Sequence, residues 1–232
     1  MMSEMKRCDF YFLAVVLLIF LPFVLSESLY EAYKSFNAAH SMVMSFLKFG
    51  VLATLGEMLG SRVAMGEYLP KSFGPLPRMV VWGVLGMGIN MAMIIFSKGI
   101  PLFLESMGFE GAVESFVAEG FSLDKLWVAI SVSVAMNTIF APVFMTLHKI
   151  ADMHIAECGG SLKSLITPID MGRAFQQINW QRQWGFVFKK SIPLFWYPAH
   201  TVTFLLPVEL RVLFAALLGV ALGLILALAS RR

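Results

Sequence analysis

The chain has 232 residues, of which 58% are hydrophobic and 14% charged, with a formal net charge of +3 and a mean hydropathy of +0.76. Soluble domains average about 45–50% apolar and about 25% charged residues, so an ordinary soluble enzyme is excluded. A disordered or nucleic-acid-wrapping chain is excluded as well, because both need low hydrophobicity and dense charge. A single leader or anchor could not raise the whole-chain average this far, and several membrane crossings are expected.

A membrane-spanning helix needs about 20 predominantly apolar residues. The windows 10–26, 79–97, 126–147, 191–208 and 212–230 contain no Asp, Glu, Lys or Arg, and a sixth, 42–61, carries only Lys48 and Glu57. The first follows Lys6 and Arg7 and ends at Val24-Leu25-Ser26. It reads either as a retained helix or as a secretory signal with a small-residue cleavage site. Six spans are expected in the first case and five in the second.

The second span carries Gly56-x-x-x-Gly60, and the third is softened by Gly83 and Gly86 and has Asn90 at its centre. The stretch from Lys98 to Lys125 is acidic, through Glu105, Glu110, Glu114, Glu119 and Asp124. Phe109, Val113, Phe116 and Val117 follow helical spacing there, so part of the loop is expected as a short amphipathic surface helix, and its charges are read as a solvated loop, with a cation-attracting vestibule as the alternative. The fourth span contains Asn137 and Pro142.

Between 148 and 190, Gly159-Gly160 marks a break, and Thr167-Pro168 reads as an N-cap followed by the first residue of a helix over about 169–178. Asn179 is expected to start the helix that runs into the fifth span, where Pro193, Pro198, His200, Thr201 and Thr203 fall. The last span carries a ladder of Ala215, Gly219, Gly223 and Ala227. Small residues let helices approach closely in lipid, so Gly56, Gly60, Gly219 and Gly223 are read as packing positions.

Cytoplasmic loops retain Lys and Arg during insertion. With the N-terminus inside, segments 1–9, 61–78, 148–190 and 231–232 hold 13 of the 18 Lys and Arg residues, against 5 in the rest of the chain. The expected fold is therefore an all-α polytopic transmembrane helical bundle of about six spans with both termini inside. It divides into an N-terminal hydrophobic helix and connection, 1–47, and a helical core, 48–232, with an inner amphipathic loop at 148–190. Cys8 and Cys158 both fall on the inner side, where thiols stay reduced.

Polar groups at membrane depth are costly and are the default functional candidates. Glu57, Asn90, Asn137, His200 and Thr203 are the pore-lining or gating candidates. Hydrogen bonding between helices is the alternative, favoured for the two asparagines, while an interfacial pair with Arg62 is the alternative for Glu57. Arg211 is expected near the outer interface beside Glu209, as an anchor or ion-pair partner. His148 and Asp152 have an i, i+4 spacing that suits a metal, but His154 and Glu157 would face elsewhere and spacing offers no third ligand. That cluster is read as a solvated helix end, and no metal, cofactor or catalytic residue is assigned.

Trp196-Tyr197-Pro198-Ala199-His200-Thr201-Val202-Thr203-Phe204, followed by Pro207 and Arg211, resembles the C-terminal signature of the Mpv-seventeen and peroxisomal membrane protein family, approximately W-P-x-x-Q-x-x-N-F-x-x-V-P-x-x-x-R. Asn137 to Pro142, including Phe140, resembles the family's D-Q-x-x-x-A-P segment, and Gly50 to Glu57, including Gly56, resembles its G-x-L-x-x-x-G-D. Trp184 fits the aromatic spacing ahead of the signature. His200 stands where Gln is usual and Thr203 where Asn is usual, so selectivity does not carry over.

The resemblance covers about residues 48–232 and implies a weakly selective channel or facilitative pore for ions or small metabolites. The charge pattern suggests a prokaryotic plasma membrane, with an organellar membrane as the alternative. A non-transporting structural or stress-related membrane protein is the alternative function. The expected partners are the lipid bilayer and a small solute or ion, with no nucleic acid; self-association is left open.

Overall fold

A computed structural model describes residues 7–229. Among them every regular element is helical, and the contacts divide the chain into two units, 1–44 and 45–232.

In the first unit α1, Arg7–Leu25, is apolar on all sides and has no buried residue, and α2, Glu27–Ala39, follows after a break at Ser26. The Ser26 side chain accepts from the Leu29 amide, capping α2. The Phe23 and Tyr33 rings meet edge to face at 5.7 Å.

α3, Ser41–Met65, crosses from the first unit into the second. The second unit continues with α4, Pro75–Ser106, the short α5, Ala112–Val117, then α6, Leu123–Ile139, and α7, Ala141–Glu157. A 3₁₀ turn at Leu162–Leu165 leads to α8, Met171–Gln177, and α9, Trp180–Arg182. The chain then runs on as a wide-turned π-helix, Gln183–Trp196, into α10, Tyr197–Leu205, and ends in α11, Val208–Ala229.

Among the described residues four helices are long and apolar enough to cross a membrane: α1, α3, α4 and residues 208–225 of α11. The pair α6 and α7, bent by 45°, makes a fifth if it is counted as one span. Large apolar side chains such as Val84, Ile95, Trp127, Val134, Leu217 and Leu228 face outward. A soluble monomer rarely shows so much exposed apolar surface, whereas lipid accepts it.

The expected fourth span is longer than its charge-free window, because helix continues past Leu147 to Glu157 with the bend at Phe140–Pro142. His148 and Asp152, expected on a solvated helix end at the start of the inner loop, have side chains only 22% and 23% exposed. The segment expected as the fifth span is divided and is not among the described helices long and apolar enough to cross: the hydrogen-bond register changes from π to α at Trp196 and the helix stops at Leu206 ahead of Pro207. Pro193 lies inside the π segment and Pro198 opens α10, which suits a residue without an N–H donor.

α6 is the centre of the second unit: Val128, Val132 and Ser133 have no exposed surface. The Ser133 hydroxyl donates to the Tyr197 carbonyl at 2.7 Å, tying α6 to the start of α10. Glycines set the closest helix approaches. A Cβ on Gly83 or Gly86 would lie 2.5 Å from Phe46 or 2.4 Å from Phe49, so these positions seat aromatic rings of α3 instead of softening α4. A Cβ on Gly56 would lie 2.8 Å from Val220, and one on Gly60 would lie 3.7 Å from the Gly223 carbonyl oxygen. The Gly-x-x-x-Gly face of α3 thus meets α11 at Val220 and the Gly223 backbone, whereas a Cβ on Gly219 or Gly223 would meet no described atom within 4 Å.

The acidic stretch 98–125 does form a helix, α5, but Ala112 and Phe116 are buried in the core instead of lying on a membrane surface. Gly159 and Gly160 end α7 with φ values of 67° and 73°. Gly160 also packs backbone to backbone on Gly74, where a Cβ would meet Gly160 at 2.6 Å. The cap of α8 is Asp170, which accepts from the Arg173 amide, while Thr167 donates back to the Lys163 carbonyl. Asn179 caps the following helix by accepting from the Arg182 amide.

Candidate functional site

Arg78 lies in the first turn of α4 and is aimed by the turn before it. Its Nε donates to the Phe73 carbonyl at 2.7 Å, and its guanidinium sits 4.7 Å over the Phe73 ring, which is itself buried. Held this way, Nη1 bridges two carboxylates, lying 2.6 Å from Glu57 Oε2 on α3 and 2.5 Å from Asp152 Oδ1 on α7.

One turn before Asp152 on α7, His148 completes the group. Its Nε2 is 3.3 Å from Glu57 Oε1 and 3.6 Å from Asp152 Oδ1. Among the described residues this nitrogen makes no hydrogen bond by geometry, and Asp152 Oδ1 lies beyond hydrogen-bond distance. The Trp82 ring, 4.3 Å away, backs the imidazole. Three helices therefore meet at a cluster of two carboxylates, one guanidinium and one imidazole. Glu57 is paired with Arg78, not with Arg62, whose Nη1 donates to the Gly66 carbonyl.

Glu57 and His148 also form part of the wall of a cavity of about 350 Å³ between α3, α4, α6, α7, the π-helix and the later helices. Asn137 and His200 line the same cavity. The Asn137 amide nitrogen donates to the Ser133 carbonyl at 2.8 Å, which turns its Oδ1 toward His200 Nδ1 at 3.0 Å. An amide oxygen can only accept, so Nδ1 carries the proton. In the neutral ring Nε2 is then the acceptor. Gln183 and Ser191 from the π-helix, together with Trp196, add polar groups to the wall. The indole N–H groups of Trp82 and Trp196 are buried without a partner.

Three of the five pore-lining candidates, Glu57, Asn137 and His200, thus share one cavity. Asn90 and Thr203 are buried off its wall. The Thr203 hydroxyl donates to the Ala199 carbonyl at 2.9 Å, so its polarity is absorbed within α10.

The family-signature positions divide in the same way. Phe140 and Trp196 line the cavity, Phe204 is core, and Trp184 is exposed, with its ring edge-on to Phe188. Arg211 folds back to donate to the Leu206 and Phe204 carbonyls at 3.0 and 2.9 Å. It therefore caps the end of α10 where an ion pair with Glu209 was one expectation.

Arg78 was not a candidate from the sequence, and His148 and Asp152 were weighed there as a metal-spaced pair and set aside as a solvated helix end. The i, i+4 spacing of His148 and Asp152 was the available signal, but the third acid lies on another helix, out of reach of local spacing. Comparison of the chain with known protein families, with curated proteins and with solved structures finds no match in any of the three.

Proposed function

We propose that the protein is a polytopic membrane protein of six spans with both termini inside, and that its cavity is part of a weakly selective path for ions or small metabolites, without covalent chemistry. The observation that carries this reading is the cavity wall. Ionisable groups at Glu57 and His148, and a polar pair at Asn137 and His200, face one space inside helices of membrane-crossing character.

Polar residues in membrane helices are costly and concentrate where they meet a solute or water. At about 350 Å³ the space falls at the small end of the about 300–1,000 Å³ range of small-molecule sites. The bend at Phe140–Pro142 and the π-helix are irregular backbone bordering this cavity, which is where a membrane protein tolerates it. The resemblance of the segments around Glu57, Asn137 and His200 to the Mpv-seventeen family supports the same class of function. The charge distribution supports a prokaryotic plasma membrane.

A second reading, a structural membrane protein that passes nothing, is favoured by one observation. Glu57 with Arg78 and Asn137 with His200 satisfy each other across helices, as inter-helix bonds would. Solute flux through liposomes containing the purified protein separates the two.

A further inference from the structure

Glu57, Asp152 and Arg78 carry two negative charges and one positive charge into a site that is largely shielded from solvent. One negative charge is left beside His148, offset among the described residues only by the exposed Lys149, whose charge also acts on Asp152. A buried excess charge is expensive unless balanced, and either a proton on His148 or a bound cation would balance it.

The geometry discriminates between these. An imidazolium donating to a carboxylate makes a short, straight bond of about 2.7–2.9 Å. Here Nε2 stands 3.3 and 3.6 Å from the two acids, longer than that range, and makes no hydrogen bond to either by geometry. A four-coordinate zinc with ligands at about 2.0–2.1 Å holds neighbouring ligand atoms about 3.3–3.4 Å apart. The two His148 separations lie at or near that edge length, and one ligand atom from each of Glu57, His148 and Asp152 lies within 4.8 Å of the others.

We propose that Glu57, His148 and Asp152 form a binding site for a divalent transition-metal cation of the zinc class. Arg78 holds Glu57 through Oε2 while Oε1 faces His148, and it shares Asp152 Oδ1, the oxygen nearest His148, whose remaining lone pair is the one left for a metal. A carboxylate accepts several bonds at once, so Arg78 acts as the outer partner that fixes the carboxylates, a role outer-shell groups commonly take around metal ligands. The Trp82 ring fixes the imidazole plane in the same way. One His with two carboxylates leaves a fourth position for water or an oxygen donor, and Glu57 and His148 place it on the cavity side. The site stands on these residues alone and does not depend on the cavity conducting a solute.

The test uses the full chain purified in detergent, stripped with a chelator and titrated with Zn²⁺ and, separately, Co²⁺. One equivalent of metal at micromolar affinity or tighter is expected, with a Co²⁺ visible spectrum of four-coordinate intensity. His148→Ala and Asp152→Asn should each weaken binding by about 100-fold or more, and Arg78→Gln by about 10–100-fold. Absence of micromolar binding by the wild-type chain, a Co²⁺ spectrum like that of the hydrated ion, or unchanged affinity in folded His148→Ala and Asp152→Asn would each overturn the proposal. The wild-type Co²⁺ spectrum decides the matter even if a variant fails to fold.

Discussion

His200 Nδ1 donates to Asn137 Oδ1 across 3.0 Å, joining α10 to α6 at a point where both residues are nearly inaccessible and border the cavity. Removing one partner strands the other, which costs about 1–3 kcal/mol for a buried polar group. His200→Leu and Asn137→Leu should each lower thermal stability in detergent. The double substitution should cost less than the sum, with a coupling of about 0.6–2 kcal/mol. Thermal unfolding of the four proteins checks this; strict additivity would mean that the bond contributes nothing.

Arg78 is the hub of the charged cluster. Arg78→Met should leave Glu57 and Asp152 facing each other uncompensated, at a cost approaching the about 3–5 kcal/mol of a broken buried ion pair. Adding Glu57→Gln and Asp152→Asn in the Arg78→Met background should recover much of that loss. Unfolding midpoints of the single and triple variants give the answer, and a triple variant no better than Arg78→Met would remove the electrostatic explanation.

Two glycines of α4 should behave oppositely on substitution. Gly86→Ala forces a Cβ to 2.4 Å from Phe49, and overpacking of this kind costs about 1–3 kcal/mol. Gly99→Ala meets no atom within 4 Å and should be neutral or stabilise by about 0.4–1 kcal/mol through the unfolded chain. Comparing the two midpoints tests whether α3 and α4 approach as closely as Phe46 and Phe49 require.

Local chemistry made part of this architecture legible from the sequence. Gly159-Gly160 ends a helix because glycine takes the left-handed conformation without a Cβ penalty, and Asn179 caps one because its side chain reaches the Arg182 amide. Asp170 was missed as a cap because Thr167-Pro168 offered a stronger-looking start three residues too early. The shielding of His148 and Asp152 was missed for a related reason: charged residues past Leu147 ended the apolar window, and the helix end that carries them was read as solvated.

Non-local pairing was beyond reach. Glu57, Arg78 and His148 lie on three helices, and no spacing rule links them. Asn137 and His200 were visible as polar residues in apolar runs, but that they bond to each other depends on α6 packing along α10. The π-helix at Gln183–Trp196 has no sequence signature beyond Pro193, since its helical pattern reads equally well as an α-helix.

The central claim, that the cavity is a solute path, is tested most directly by flux of a panel of ions and small metabolites through liposomes containing the wild-type protein, His200→Ala or Thr203→Val. Wild-type flux should exceed that of protein-free vesicles. His200→Ala, on the cavity wall, should change its rate or selectivity, and Thr203→Val, buried off the wall, should leave both unchanged. Flux no higher than in empty vesicles, or identical flux in wild type and His200→Ala, would contradict the account.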